Sequence, residues 1–410
     1  MKRSLGLLVI AGCPLLLAGC PMYRTRHPPP LPMPAPTPIP GINSPYDDFN
    51  SADARLWYRG GFIFSSNRGS QGANFDLYET TLRWSFPEST PGQPTPVQAD
   101  EPTPFAPELM SDADERGPIV LDDLTYRARL VFASNREGGS GGLDLYVAEQ
   151  NWPHLNIEDA GKEGGPEAIA LRPLTGLNTA ADEAYLTAPI ADHQMLFASN
   201  RTEAAPRTTP ASPRATSATP SATSGSTPSA TSGSTPSATS TSPSATSTSP
   251  AATSGSITAM GGARPNDIFL VTWDARDSLE AVPYDIRRAD ELSSPADDTA
   301  PSIYKNARGE VEVVFVSTRA GALGEHDLYC SRYVDTRSEE ERERRGSSPT
   351  MHWTPPVHLK AFSSPRDEYR PIVMTINTTR FLIFSSTREG GQGGYDLYIV
   401  GYSGCPTGPR

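Results

Sequence analysis

LIFSSTREGGQGGYDLY, residues 382–398, decides the fold because close copies of it recur along the chain. FIFSSNRGSQGANFDLY begins at Phe62, LVFASNREGGSGGLDLY at Leu130, and VVFVSTRAGALGEHDLY at Val313. A fifth copy opens as MLFASNR at Met195 and resumes as NDIFLV at Asn266, beyond an insertion of about 58 residues. Each copy sets short β-branched and aromatic runs around a cluster of Gly, Ser, Asn and Asp, which is the composition of two strands joined by a tight turn. An acidic pair stands upstream of every copy: Asp47 and Asp48, Asp114 and Glu115, Asp182 and Glu183, Asp297 and Asp298, Asp367 and Glu368. With the insertion removed, Phe64, Phe132, Phe197, Phe315 and Phe384 recur every 60 to 69 residues, so one supersecondary unit is used five times.

The second unit shows four apolar runs, around Ile119 and Val120, Leu130 to Ala133, Asp144 to Ala148, and Ala168 to Leu174. Four-stranded units repeated radially make an all-β propeller, which leaves only short, protected strand edges. The expectation is five blades over residues 43–405, with a short C-terminal tail at 406–410. The fifth copy has no residues left for an outer strand, and the Pro-containing segment 36–43 is the one available to supply it, since proline is tolerated at a sheet edge.

Within each copy an arginine precedes an aspartate at a fixed spacing: Arg68 and Asp76, Arg136 and Asp144, Arg319 and Asp327, Arg388 and Asp396, with Arg201 and Asp267 separated by the insertion. A catalytic group is needed once and these occur five times, so the expectation is a structural pair across each hairpin base. GGSGG at Gly138–Gly142 meets the GxSxG pattern but lies in a hairpin loop, with none of the strand–turn–helix context of a nucleophile elbow. The same loops lack the tandem spacing of calcium-binding nonapeptides. His352 and His358 are the one close histidine pair, without ligand-type neighbours, so neither a metal nor any other cofactor is expected. EEERERR, from Glu339, mixes both signs as a solvated segment does.

The ends carry a separate message. Lys2 and Arg3 precede an apolar run from Leu5 to Ala18, too short to span a bilayer, which reads as a signal peptide over residues 1–19. The run closes on Leu17, Ala18, Gly19 and Cys20, which resembles a bacterial lipobox. That resemblance implies an acylated Cys20, carrying palmitate-type chains, and Pro21 in place of an aspartate implies the outer membrane, facing the periplasm. Residues 20–42 are proline-rich and read as a stiff tether. Residues 202–262 repeat PSATSGST and PSATSTS with hardly a large apolar side chain, the composition of a disordered insertion. Taking Lys2 and Arg3 from 35 basic residues leaves 33 against 47 acidic, a net charge near −14 that argues against nucleic acid as partner. Of four cysteines, Cys13 leaves with the signal and Cys20 takes the lipid. Cys330 and Cys405 remain, as a disulfide or as two thiols.

The repeat itself, apolar residues, Phe, Ser, Asn or Thr, Arg, a Gly-rich turn, then Asp-Leu-Tyr, resembles the WD40-like repeat of TolB-like β-propellers over residues 45–402. That resemblance implies a monomeric propeller that binds an envelope protein or a peptidoglycan component, a scaffold module and not an enzyme. The alternative is a carbohydrate-binding or glycoside-processing propeller that uses its central funnel. For the anchor, Cys20→Ala is expected to leave the chain unprocessed or soluble. Wild-type protein found in the soluble periplasmic fraction, with no lipid on its N-terminal peptide by mass spectrometry, overturns that reading.

Overall fold

The computed structural model describes residues 34–53, 61–84, 97–123, 127–150, 170–190, 193–202, 264–273, 284–306, 309–338, 340–341, 344, 350–376 and 379–406. The signal segment, Cys20 and almost all of the Ser/Thr/Pro insertion lie outside them. The strands form five antiparallel sheets, one for each copy of the repeat. The first strand in the chain, β1 (Thr37–Pro38), belongs to the last of these. Blade one comprises β2 (Asp48–Asp53), β3 (Gly61–Ser66), β4 (Asp76–Trp84) and β5 (Val97–Ala99), with β6 (Thr103–Pro104) also on β4. Blade two is β7 (Glu115–Asp123), β8 (Arg127–Ser134), β9 (Asp144–Gln150) and β10 (Ala170–Pro173). Blade three is β11 (Glu183–Ala184), β12 (Gln194–Ser199), β13 (Asp267–Thr272) and β14 (Asp285–Arg288). Blade four is β15 (Asp298–Lys305), β16 (Val311–Ser317), β17 (Asp327–Asp335) and β18 (Met351–Trp353), with β19 (Val357–His358) on β17. Blade five is β20 (Glu368–Ile376), β21 (Thr379–Ser386) and β22 (Asp396–Gly401), completed by β1.

The ring therefore closes by strand exchange between the two ends of the propeller. Thr37 pairs with Ile399 and Pro38 with Tyr398, and Ile39 N–H donates to Leu397 O at 2.9 Å. Ile39 and Ile42 are buried between blades one and five, so the proline-rich segment assigned to the tether gives its last residues to the fold. A covalent tie joins the neighbouring blades four and five: Cys330 on β17 is disulfide-bonded to Cys405, just past blade five. Closing a loop across 75 residues restricts the unfolded chain by about 4 kcal/mol in the chain-entropy account.

The five phenylalanines that mark the repeat each face an aromatic residue across the hairpin, as Phe64 does Tyr78, Phe197 does Phe269 and Phe384 does Tyr398. All five are fully buried. Blades one and five, one and two, and three and four each share an apolar cluster, and a further, larger cluster joins all five blades and takes in Phe49, Tyr185 and Ala300 of the inner strands. The insertion enters and leaves at one hairpin, where Ser199 pairs with Asp267 as Ser134 pairs with Asp144.

Candidate functional site

The arginine of each repeat takes a different partner from the one expected. Arg136 bonds Glu115 at 2.7 Å, Arg201 bonds Glu183 at 3.0 Å and Arg388 bonds Glu368 at 2.7 Å, while Arg68 and Arg319 meet Asp48 and Asp298. The partner is thus the second acid of the upstream pair, not the aspartate that opens the strand after the turn. Each guanidinium also lies over the repeat phenylalanine and over the aromatic ring facing it, at 4.9 to 5.4 Å from the centroids. Burial pushes the carboxyls of Asp48, Glu115, Glu183 and Glu368 upward, and the arginine opposes that shift.

The remaining acids have separate duties. Asp144 accepts the N–H groups of Ser140 and Gly141, and Asp396 those of Gln392 and Gly393, so these aspartates shape their own Gly-rich turns. Asp327 does the same for Leu323 and Gly324. Asp267, whose turn holds the insertion, pairs with Arg288 at 2.7 Å. Asp76 is also partly buried, and its pKa is raised by burial and by Asp114. The first acid of each upstream pair reaches back one blade: Asp47, Asp114, Asp182, Asp297 and Asp367 accept from the backbone N–H of Tyr395, Phe75, Leu143, Asn266 and His326.

Blade four adds a charge to that latch. The His326 ring bonds Asp297 at 3.0 Å and stands 3.6 Å from Asp367. Burial alone would lower the histidine pKa, but the two aspartates carry it up to about 9. His352 and His358, close in sequence, are apart in function: the former meets Glu291 at 3.3 Å and the latter Asp327 at 2.8 Å. Among the described residues no three His, Cys, Asp or Glu side chains converge as metal ligands do.

At the axis the five copies diverge. Two residues after the second acid, each inner strand carries a residue with positive φ: Asn50, Gly117, Tyr185, Ala300 and Arg370. In β2, β7, β15 and β20 a register shift follows at once, so this is a β-bulge turned toward the axis. Non-glycine residues bear such a backbone at a cost of about 1–3 kcal/mol each. At Gly117 the glycine is required for space as well, since a Cβ there would lie 2.5 Å from Cδ1 of Tyr185. Tyr185 fills the axis, and Arg370 lies over its ring at 5.1 Å.

A cavity of about 280 Å³ runs from Arg370 along the later halves of the inner strands. Its wall is mostly apolar, with Ala52, Pro118, Ile119, Ile303 and Ile372 among the lining residues. Two charged residues interrupt it, Arg370 and Asp53. Asp53 stands where the other blades have Val120, Ala188, Ile303 and Val373. Neither was singled out from the sequence. The available signal was the departure of one copy from the other four at an inner-strand position, which a search for repeated residues passes over.

No family model and no curated protein matches the chain. Solved structures do. An endo-arabinase from Bacteroides thetaiotaomicron VPI-5482 is 9% identical, with 89% of this chain and 97% of that one covered and a TM-score of 0.44. A thermostable family-43 glycoside hydrolase is 8% identical, with 92% and 98% covered and a TM-score of 0.47. The GH43_1 enzyme from Xanthomonas citri complexed with xylose is 10% identical, with 88% and 90% covered and a TM-score of 0.42. The five-bladed propeller stands. The solved structures found are described as glycoside hydrolases and arabinanases, which runs against the expectations of a TolB-like scaffold and of no enzymatic activity, and neither expectation is carried further.

Two outcomes follow from the geometry. Arg388→Ala strands the buried Glu368 and is expected to cost about 3–5 kcal/mol in chemical denaturation. Asp396→Asn keeps an acceptor for its turn and should cost about 1 kcal/mol; equal costs would contradict the assigned partners. For His326 the folded pKa of about 9 exceeds the ordinary 6.5, so its stabilisation is complete below pH 6.5 and is lost as pH rises through 9. The melting temperature of the wild type should fall across that window more than that of His326→Gln. Parallel curves would refute the clamp.

Proposed function

We propose that the propeller recognises and processes a carbohydrate in its axial cavity. The observation that carries this reading is the pair Asp53 and Arg370, the charged residues that interrupt an apolar wall at positions where the repeat has none. Repeated polar groups are accounted for by the latches and turns of every blade. A charge that occurs in one blade alone and lines a cavity lies outside that repeated scheme, and the buried Arg370 incurs a desolvation cost. The cavity's volume stands near the lower end of the range for small-molecule sites, about 300–1,000 Å³, where a few convergent polar groups in an apolar wall fix orientation. Ser51 and Ser302 also line it, two hydroxyl residues of the kind that exchange hydrogen bonds with sugar hydroxyls.

Glycoside cleavage runs on carboxyl groups flanking the bond, one giving a proton to the leaving oxygen while the other assists attack. Asp53 is the carboxylate that the lining residues provide, and it is assigned the base that takes a proton from an attacking water, so that the anomeric carbon gains the water oxygen and the leaving oxygen takes its proton from solvent. The test is a glycan array on the full chain, followed by release of reducing sugar from each glycan bound. The expected result is binding with turnover, and an Asp53→Asn variant that retains binding and loses turnover by about 100-fold or more. Absence of any glycan binding overturns the proposal. Binding with turnover unchanged in Asp53→Asn removes Asp53 from the chemistry.

A further inference from the structure

Resting on the carbohydrate reading, we propose that the ligand of the axial cavity carries a carboxylate, as a uronic acid does, and that Arg370 receives it. Arg370 is 2% exposed and lies against the ring of Tyr185. Its Nη1 donates to Pro301 O at 3.0 Å and its Nη2 to Pro118 O at 3.4 Å, while its Nε–H is buried without a partner. The contrast with the five repeat arginines is direct. Each of those meets a buried carboxylate, whereas Arg370 has carbonyl oxygens and, among the described residues, no ion-pair partner.

An arginine is charged at neutral pH even where burial pushes its pKa down to about 10. Two carbonyl dipoles and a tyrosine face offset part of its desolvation; an anion offsets the rest. The planar edge of a guanidinium matches the two oxygens of a carboxylate, so Nε–H, buried without a partner in a side chain that lines the cavity, favours that group. Asp53, in the same cavity, repels an anion and accepts hydroxyl protons. Together they orient an acidic sugar with its carboxylate toward Arg370 and its hydroxyls toward Asp53.

The experiment is calorimetric titration of the full chain with matched panels: galacturonate, glucuronate and their oligosaccharides, against galactose, glucose and theirs, with acetate alone as a third arm. The acidic panel should contain a ligand bound at least roughly tenfold tighter than its neutral counterpart, a margin set by a charge-assisted bond. Arg370→Met should remove that margin and Arg370→Lys should restore part of it, with folding checked by thermal melting. If the methionine variant does not fold, the wild-type comparison still decides. Equal affinity for acidic and neutral partners overturns this inference and leaves the carbohydrate reading in place. Neutral sugars alone binding does the same. Acetate binding without any sugar identifies an adventitious anion site only, and overturns both, as does no binding in any arm.

Discussion

The propeller depends on one arrangement made five times, a carboxylate with no exposed surface bonded to a guanidinium that lies over two aromatic rings. A buried ion pair is weak evidence of stability by itself, because desolvation consumes much of the attraction. Here the arginine does more than neutralise. Its Nη2 also reaches a backbone carbonyl of the connection entering the blade, Leu109 in blade two and Phe362 in blade five. The carboxylate in turn holds a serine or threonine of that connection, as Glu115 holds Ser111 and Glu183 holds Thr179. One ion pair thus fixes the inner strand, the second strand and the chain arriving from the previous blade.

The first acid of the pair extends the same logic around the ring. By accepting a backbone N–H of the preceding blade it sets the spacing between blades, and Asp47 does so with Tyr395 across the point where the chain ends meet. Closure is therefore marked two ways, by the strand that β1 gives to blade five and by Asp47, while the disulfide of Cys330 and Cys405 ties the segment after blade five to blade four. Local, repeated latches hold the ring, and apolar packing that reaches Phe49, Tyr185 and Ala300 fills part of its axis. The cavity occupies the part beyond Arg370, along the later halves of the inner strands.

The sequence made the fold legible because repetition is itself the signal: five phenylalanines at near-constant spacing, with the same turn and the same acids, admit few architectures. The strands of blade two fall where their apolar runs lie, and the insertion sits in the hairpin between Arg201 and Asp267. The partner of each arginine was not legible. Eight residues separate Arg388 from Asp396 and twenty separate it from Glu368, yet antiparallel pairing sets Ser386 opposite Glu368 and Asp396 alike. Chain separation could not choose between two acids on either side of one strand. The direction of the arginine side chain, over Phe384 and Tyr398 toward the inner strand, made the choice.

The axial residues were invisible for the opposite reason. Asn50, Gly117, Tyr185, Ala300 and Arg370 share a backbone conformation and share no chemistry, so no pattern of residue types links them. Their common feature, a positive φ, leaves a trace in sequence only where glycine is used, and Gly117 is the single instance. Where a backbone is repeated under strain and its side chains are free to differ, the fold has provided five inward-facing positions and fixed none of them. Gly117 makes room, Tyr185 fills it, and Arg370 lays a cation over the plug at the end of the cavity. Symmetry accounts for what holds this propeller together. Specific chemistry at the axis has to come from residues that break the symmetry, and Arg370 and Asp53 break it with charge.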